Sequence, residues 1–330
     1  MTKTRGRRPT RPRPHNTPRP HPAPGSSQPG SSRPGSSQFQ PGSFQIVSIS
    51  PPGYLHSAAL AEVVETVYYG LRALGYEADR CLNRVVAPGP QPVLFGAHLL
   101  GADDLPRVPP GTIIYNLEQI SPSSSWCSPP YLKLLKTCRV WDYSPRNIAT
   151  LAQMGVRGNV TRVPIGYVPQ LTRIPASSEE DIDVLFYGSI NDRRARVLND
   201  LRAMGLNVHA VFGVYGHERD ALMSRAKVVL NLHFYDTSIF EVVRVSYALA
   251  NRKAVVSEYR PGTEMDADMV DAVRLVPYDK LVTSCAELVS DVEARRALGA
   301  RGFARISERD EATYLASALG QPHLAQGSVA

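Results

Sequence analysis

The sequence predicts an α/β protein in which two open parallel-sheet domains face a common cleft, with a disordered N-terminal tail. From Phe44 onward, short β-rich runs alternate with helical periods, and this alternation is interrupted by one connecting stretch, VPQLTRIPASSEED. Regular alternation of strands and helices is typical of parallel sheets. A chain of 330 residues is also long enough to bury a separate core in each of two domains.

Residues 1–43 form the predicted tail. They hold eight of the 37 Lys and Arg and none of the 30 Asp and Glu, so the rest of the chain has a net charge of about −1. With ten prolines and few apolar groups, this segment cannot offset its chain entropy by burial. We expect a solvated extension. The alternative is weak binding of an acidic surface, or of a proline-reading module, through RPTRPRP.

Residues 44–168 form the first predicted domain. FQIVSIS is read as its first strand, and Ser57 as the cap of a helix that ends at Gly75. The runs PVLFGA, TIIYNLEQI, RVWDYS and VTRVPIGY are read as further strands. Ser144 is predicted to cap a helix that begins at Pro145.

Residues 169–305 form the second predicted domain. Its units are IDVLFYG, a helix over 194–204, VHAVFG, a short helix, AKVVLNLHF, a helix opening in TSIFEVVR, and KAVVSE. The final helix, within 306–330, is expected to pack back on the first domain. Both domains are expected to be Rossmann-like. Because such folds bind ligands beyond the carboxyl ends of their strands, the loops after the strands are the candidate site.

Composition narrows the functional classes. The body of the chain lacks the basic stripe of a nucleic-acid surface, so no specific nucleic-acid partner is expected. Four scattered cysteines show no metal-ligand or disulfide spacing, and we expect no metal site. No apolar run approaches the length of a membrane span. We therefore expect a cytoplasmic chain that reaches a membrane only as a peripheral protein.

Two glycine loops of the second domain are candidate ligand loops. YGSINDRR places Gly188 and Ser189 directly after a strand, with Arg193 and Arg194 at the start of the next helix, a pattern suited to an anionic ligand. VFGVYG places Gly213 where the backbone can approach a ring or ribose. The structural alternative is a pair of ordinary strand-to-helix turns with solvated arginines.

TSIFEVVR supports two interpretations. Ser238 and Glu241 have the S-x-x-E spacing of a capping box, and Glu241 and Arg244 can pair on the helix surface. In the functional interpretation, amides 238–240 and the positive helix end face a diphosphate, Arg244 neutralises charge, and Glu241 accepts hydroxyls. One helix N-terminus can serve both roles.

These motifs carry a family resemblance. AKVVLNLHFYDTSIFEVVRVSYALANRKAVVSE, DVLFYGSINDRR and VPIGYVP resemble the donor-binding half of GT-B glycosyltransferases of the group 1 and spore-maturation types. The resemblance implies a GT-B fold, a nucleotide-sugar donor, diphosphate contacts from Gly188, Ser189 and Arg193 or Arg194, and a donor contact from Glu241. It covers about 160–260, and the first domain in architecture only.

The chain departs from one pattern of that family. Many retaining members carry two glutamates separated by seven residues on this helix, whereas here Ile239 and Tyr247 occupy those positions. Retaining and inverting transfer therefore both stay open. The FE pair, Phe240 and Glu241, resembles the shorter spore-maturation form.

The first domain holds the candidate general base. His56, His98, Glu118 and Gln119 follow predicted strands and should face the acceptor side of the cleft. An inverting transfer needs a base against the acceptor hydroxyl, and His56 and Glu118 have suitable chemistry. We take these two as the catalytic candidates. A loop histidine that only scaffolds or is solvated is the structural alternative.

The predicted function is transfer of a sugar from a nucleotide-sugar co-substrate to an unknown acceptor, either glycan, lipid, small molecule or protein, without a further cofactor. The alternatives are a sugar-nucleotide epimerase or phosphorylase, and a module that binds a nucleotide or glycan without turnover. The acidic motif DID at 181–183 precedes its strand, which argues against a metal-dependent GT-A transferase. Neither a dinucleotide fingerprint nor a P-loop is present.

Overall fold

The first of two parallel sheets lies in the N-terminal half of the chain. The structure, a computed structural model, describes residues 39–234 and 239–321. The predicted tail up to residue 38, Ser238 and the residues after 321 lie outside the described ranges. The strands of the first sheet are β1 (Phe39–Ser48), β2 (Glu77–Leu82), β3 (Gly89–Phe95), β4 (Ile113–Asn116), β5 (Arg139–Asp142) and β6 (Val160–Arg162). All pair in parallel, in the order β2-β1-β3-β4-β5-β6.

The second sheet follows in the C-terminal half and is also parallel. Its strands are β7 (Ile182–Tyr187), β8 (Val208–Val211), β9 (Ala226–Asn231), β10 (Ala254–Glu258) and β11 (Arg274–Val276). Their order is β11-β10-β9-β7-β8. The predicted α/β architecture of two Rossmann-like parallel-sheet domains is confirmed.

Nine α-helices connect and cover the strands among the described residues. They are α1 (Ala61–Ala73), α2 (Pro129–Thr137), α3 (Pro145–Gln153), α4 (Asp192–Ala203), α5 (Gly216–Arg225), α6 (Val242–Ala250), α7 (Leu281–Ser290), α8 (Val292–Ser307) and α9 (Glu311–Ala318). Each sheet has a buried apolar cluster on both of its faces. Ile46 and Val47 show the pattern, since these successive residues of β1 are both fully buried on opposite faces.

Local signals explain most of these elements. Ser144 caps α3 as predicted, accepting a hydrogen bond from the amide of Asn147. The predicted Ser57 cap is wrong. Ser57 lies inside a short 3-10 helix, Leu55–Leu60, and its buried hydroxyl has no hydrogen-bond partner among the described residues. Helix α4 begins two residues earlier than predicted, because the side chain of Asn191 caps it.

Three elements were not predicted. Strand β2, EADRCL, is an edge strand with mostly exposed side chains, so it lacks the apolar run expected of a parallel strand. Strand β11 has only three residues. Helix α2 does carry a readable signal, because Ser128 caps it and Pro129 occupies its first position.

The last helix packs on the first domain. Leu315 of α9 is fully buried in the core cluster beside α1. A Cβ atom placed on Gly70 of α1 would lie 2.8 Å from Leu315 Cδ1, so the two helices approach closely because position 70 has no side chain. Glu311, at the start of α9, accepts a hydrogen bond from the amide of Gly166 at 2.8 Å.

Further polar contacts join the two halves. Glu62 of α1 accepts a hydrogen bond from Arg219 of α5 at 2.7 Å, and both side chains are buried. At the opposite end, Glu264 accepts from the Ser144 hydroxyl at 2.5 Å and from the Arg146 amide at 2.6 Å. The carboxyl edges of the two sheets are thereby held toward each other. In the described part of the chain, no helix combines the length and apolar character needed to cross a bilayer.

We predict that Leu315→Ala lowers the free energy of unfolding by about 2–5 kcal/mol, because it removes a fully buried side chain from the core shared by α1 and α9. Chemical denaturation measures this effect. Ser317→Ala on the same helix is the control, since Ser317 is exposed. Equal stability of the two variants would contradict the packing of α9 on the first domain.

Candidate functional site

A cavity of about 480 Å³ opens between the carboxyl edges of the two sheets. This volume lies within the range of sites for small ligands. Eight of the ten site residues predicted from the sequence line this cavity. They are His56, Glu118, Gly188, Ser189, Arg194, Gly213, Glu241 and Arg244. The structure thus brings the predicted donor loops and the predicted acceptor-side residues to one cavity.

Arg244 and Gly188 form the centre of the second domain's wall. A Cβ atom on Gly188 would lie 3.1 Å from Arg244 Nη2, and the backbone of Gly188 has a φ of +149°, so glycine lets the guanidinium approach this loop. The guanidinium also lies 6.0 Å from the centre of the Tyr187 ring. Its Nη1 atom is buried and has no hydrogen-bond partner among the described residues. Arg244 therefore lines a ligand-sized cavity and carries a cationic donor that has no acceptor among the described residues.

Arg194 holds the neighbouring loop in place. Its guanidinium donates to the carbonyl of Ser189 at 2.7 Å and to the carbonyl of Leu232. The side chain is buried between the rings of Phe186 and Phe234. Burial, followed by the charge of Arg244, lowers the pKa of Arg194 to about 10, so it stays charged at neutral pH. Arg194 therefore fixes Ser189 and adds positive charge to the cavity wall.

Arg193 does not lie among the residues that line the cavity. It donates two hydrogen bonds to the buried carboxylate of Glu258, at the end of β10, and its guanidinium stacks 4.0 Å from the centre of the Tyr278 ring. Of the two arginines between which the sequence left the choice open, Arg194 is the one at the cavity. The Arg193 and Glu258 pair supports the sheet edge behind it.

Glu241 is not the third residue of a capping box. Helix α6 begins at Val242, so Glu241 is its N-cap residue and its side chain makes no capping hydrogen bond. The amide of Phe240 donates to the carbonyl of Glu264 and is not available to a ligand. Ser238, the other member of the predicted box, lies outside the described residues.

The carboxylate of Glu241 is held from behind. His233 Nδ1 donates to Oε1 at 2.9 Å, and Asn231 Nδ2 donates to Oε2 at 2.8 Å. Burial raises the pKa of Glu241, but the hydrogen bond and charge of His233 outweigh it, and the net pKa lies below the usual value. Glu241 is therefore an ionised, fixed carboxylate on the cavity wall, next to Arg244 in space and in sequence.

His56 lies where the two domains meet at the cavity. Its Nδ1 atom is 2.8 Å from the hydroxyl of Tyr215, and its ring lies 4.6 Å from that of Phe212. Gly213, between these two aromatic residues, has a φ of +73° and open space around its Cα atom. This arrangement ties His56 to the second domain through one ring nitrogen.

Glu118 lies on the first domain's side of the cavity. Burial raises the pKa of Glu118 to about 7, which is suitable for a group that takes up a proton at neutral pH. His98 Nε2 lies 3.6 Å from Glu118 Oε1. Among residues 39–234 and 239–321, no group of three or more His, Cys, Asp or Glu side chains is arranged to hold a metal ion.

Several proteins of one virus are similar in sequence to this chain. No protein-family model matches it. It is similar to uncharacterized proteins L140 and R358 of Acanthamoeba polyphaga mimivirus, with 26% identity over 191 residues and 29% over 165 residues. These alignments cover 54% and 47% of this chain, but only 60% and 54% of those proteins. A third relative, L138, is 28% identical over 143 residues, 41% of this chain and 16% of its own. The chain thus spans less than two thirds of the length of these relatives.

Solved structures show the fold. HepE of Anabaena, solved with UDP and glucose, has a TM-score of 0.56 and 14% identity, covering 85% of this chain and 100% of its own. WaaG, a glycosyltransferase involved in lipopolysaccharide biosynthesis, has a TM-score of 0.52 and 11% identity, covering 83% and 98%. Both are GT-B glycosyltransferases. This chain has the GT-B fold.

The sequence did not indicate one polar network of this GT-B cleft. Arg219 of α5 packs 4.3 Å from the centre of the Tyr247 ring, and its guanidinium bridges Glu62 and Asp220. Arg219, Tyr247 and Glu62 all line the cavity. Tyr247, at the position where many retaining members carry a glutamate, is thus packed against Arg219 in the cavity wall. The S-x-x-E motif indicates a candidate site at α6. Arg219 lies in HERDALMSR, which contains no recognisable motif.

We predict that Glu118→Gln removes part of the pH dependence of stability. The folded-state pKa of about 7 exceeds the ordinary 4.5, so protonation of Glu118 favours folding fully below pH 4.5, and this contribution is lost as the pH rises through 7. Between pH 4.5 and 8, wild type should therefore lose about 3 kcal/mol relative to the variant.

Denaturant titrations at several pH values measure this difference. Glu293→Gln is the matched control, because its side chain is 89% exposed. A parallel pH profile for wild type and Glu118→Gln would contradict the burial of an ionisable Glu118. Asp142 and Glu311, whose pKa values burial also raises, are unchanged in both variants and cancel in the comparison.

Proposed function

We propose that the chain is a glycosyltransferase that binds a nucleotide-sugar donor against the second domain and transfers its sugar to an acceptor hydroxyl presented on the first. The GT-B fold makes this reaction class the natural candidate. The specific support comes from the cavity, since the fold alone does not determine activity. HepE, which shares the fold, was solved with UDP and glucose and, in a second structure, with UDP-glucose.

The observation that carries the proposal is the Nη1 atom of Arg244, which is buried and has no hydrogen-bond partner among the described residues. A buried cationic donor without an acceptor is costly, because the group has lost its water and gained no protein hydrogen bond. A diphosphate supplies anionic oxygens to such a donor. Arginine matches phosphate oxygens well, because its planar guanidinium presents several donors in a fixed geometry.

Neighbouring groups favour the same ligand. Helix α6 begins at Val242, two residues before Arg244, so the positive end of the helix lies beside the guanidinium. The Ser189 hydroxyl and the charge of Arg194 lie on the same wall. Glu241, ionised and held by Asn231 and His233, offers acceptors for sugar or ribose hydroxyls.

The first domain supplies the proton acceptor. In the proposed reaction, Glu118 takes the proton of the acceptor hydroxyl. At the same time, the oxygen of that hydroxyl forms a bond to the anomeric carbon of the sugar. The bond between that carbon and the phosphate oxygen breaks, and the nucleoside diphosphate leaves with the bonding electrons. Arg244 and the α6 N-terminus stabilise the charge that develops on the leaving phosphate.

We predict that Arg244→Ala weakens nucleoside diphosphate binding by about 10- to 100-fold, the value of a hydrogen bond to a charged group. Isothermal titration with UDP, GDP, ADP and dTDP, each also as its glucose ester, measures the affinity. Arg196→Ala on α4 is the matched control, because Arg196 is exposed.

A thermal-shift series separates the outcomes. A ligand at 100 times its dissociation constant stabilises the folded chain by about 2.7 kcal/mol. Stabilisation by one nucleoside diphosphate, together with slow release of free sugar from the matching nucleotide sugar, is the result expected of a transferase. Absence of binding by every nucleotide would refute the proposal. Tight binding without any release or transfer of sugar would assign the chain to binding without turnover.

A further inference from the structure

Two titratable side chains of the first domain, Glu118 and His98, lie close together at the cavity. Glu118 follows β4 and His98 follows β3, and these strands are neighbours in the sheet. Because parallel strands end at the same edge, the two residues lie close together, and His98 Nε2 is 3.6 Å from Glu118 Oε1. Glu118 lines the cavity, whereas His98 does not. The imidazole thus lies next to the Glu118 carboxyl without lining the cavity itself.

His98 is built into an aromatic pocket. Its side chain is 6% exposed, and its ring makes edge contacts with Trp126 at 5.1 Å and Tyr131 at 6.0 Å between centroids. Burial lowers the pKa of His98 to about 4. At neutral pH the ring therefore carries no charge, and one of its nitrogens has a free lone pair.

Glu118 has no lysine or arginine as a direct partner among the described residues. Its backbone is fixed by Asn116 and Asn147, whose side-chain amides donate to its carbonyl at 2.9 and 2.8 Å. The titratable groups coupled to this region are Cys127, Tyr131, Asp142, Tyr143, Glu241 and Glu264, and the cations that line the same cavity are Arg194, Arg219 and Arg244. In the described part of the chain, no lysine or arginine forms an ion pair with Glu118. Once Glu118 is protonated, its carboxyl is neutral and carries an O–H donor, which needs a hydrogen-bond acceptor.

We propose that His98 is a positioning residue for Glu118, and that its uncharged imidazole accepts the carboxyl hydrogen bond once Glu118 has taken the acceptor's proton. This inference rests on the proposed function. It assigns the proton to Glu118 Oε1 and the lone pair to His98 Nε2, which places the ring hydrogen on Nδ1. The carboxyl oxygen on the ligand side is then free to face the acceptor.

The observed separation suits this role before proton transfer. A carboxylate and a neutral ring nitrogen with its lone pair exposed do not attract, and 3.6 Å is longer than a hydrogen bond. Protonation of Glu118 creates a donor, and a shift of less than 1 Å closes the pair to an ordinary hydrogen bond. Catalytic hydrogen bonds are often long in ligand-free structures and tighten during reaction.

Nuclear magnetic resonance on the ligand-free, isotope-labelled full chain tests the inference without any assumption about turnover. In the wild type, the ¹⁵N shifts of His98 should show an uncharged ring at pH 7, protonated on Nδ1 and bare on Nε2. The carboxyl ¹³C shift of Glu118 should titrate near pH 7. A proton on Nε2, or on both nitrogens, would overturn the inference even if no variant could be prepared.

Two variants sharpen the test. His98→Leu removes the acceptor and should lower the pKa of Glu118 by about one unit, the equivalent of one hydrogen bond. The control is His217→Gln on α5, since His217 is exposed, and it should leave that pKa unchanged. A rise in the Glu118 pKa in His98→Leu would show that the imidazole does not favour the protonated carboxyl, and no change would show that the two groups are uncoupled. Either result contradicts the assignment.

The kinetic readout then connects the pair to the reaction. For any donor and acceptor that the chain turns over, the acidic limb of the kcat/KM profile should move to lower pH in His98→Leu by the same interval as the Glu118 pKa. If resonance shows the coupling but no nucleotide sugar is turned over, the proposed function fails and the coupling stands. If turnover occurs with an unshifted acidic limb, the role of His98 fails and the proposed function stands.

Discussion

The proposed site is centred on a guanidinium that lacks its full set of acceptors among the described residues. Arg244 is brought against Gly188 by the packing of α6 on the second sheet, and its buried Nη1 atom finds no acceptor in the described part of the chain. A folded protein tolerates such a donor only when the surrounding structure over-determines its position, because desolvation is not repaid within the protein. The ligand-sized cavity beside it makes an anionic ligand the natural completion of the site.

The surrounding structure does over-determine that position. Arg194 ties the Ser189 carbonyl to the end of β9, and Arg193 pairs with the buried Glu258 at the end of β10. Across the cleft, Glu62 pairs with Arg219 and Glu264 with the start of α3, so the two sheets present their carboxyl edges to one space. Arg193 and Arg194 thus support the frame of the cavity, whereas Arg244 Nη1, like Arg194 Nε, has no acceptor among the described residues.

Much of this frame was predictable from local sequence. Alternating strand and helix periods predicted two parallel sheets, and YGSINDRR and TSIFEVVR predicted two loops that do meet at one cavity. The different roles of Arg193 and Arg194 were not predictable, because they depend on Glu258, which lies 65 residues from Arg193 at the end of β10. Likewise the capping box failed because the S-x-x-E spacing does not show where the helix begins, and α6 starts after Glu241 rather than before it.

The most direct test of the central claim is a crystal structure of the chain with the nucleoside diphosphate that binds it best. The account predicts the diphosphate in the interdomain cavity, with a phosphate oxygen within hydrogen-bond distance of Arg244 Nη1 and the Gly188 and Ser189 loop beside it. A nucleotide bound with its phosphates away from Arg244, or with Nη1 still lacking an acceptor in the complex, would contradict the account.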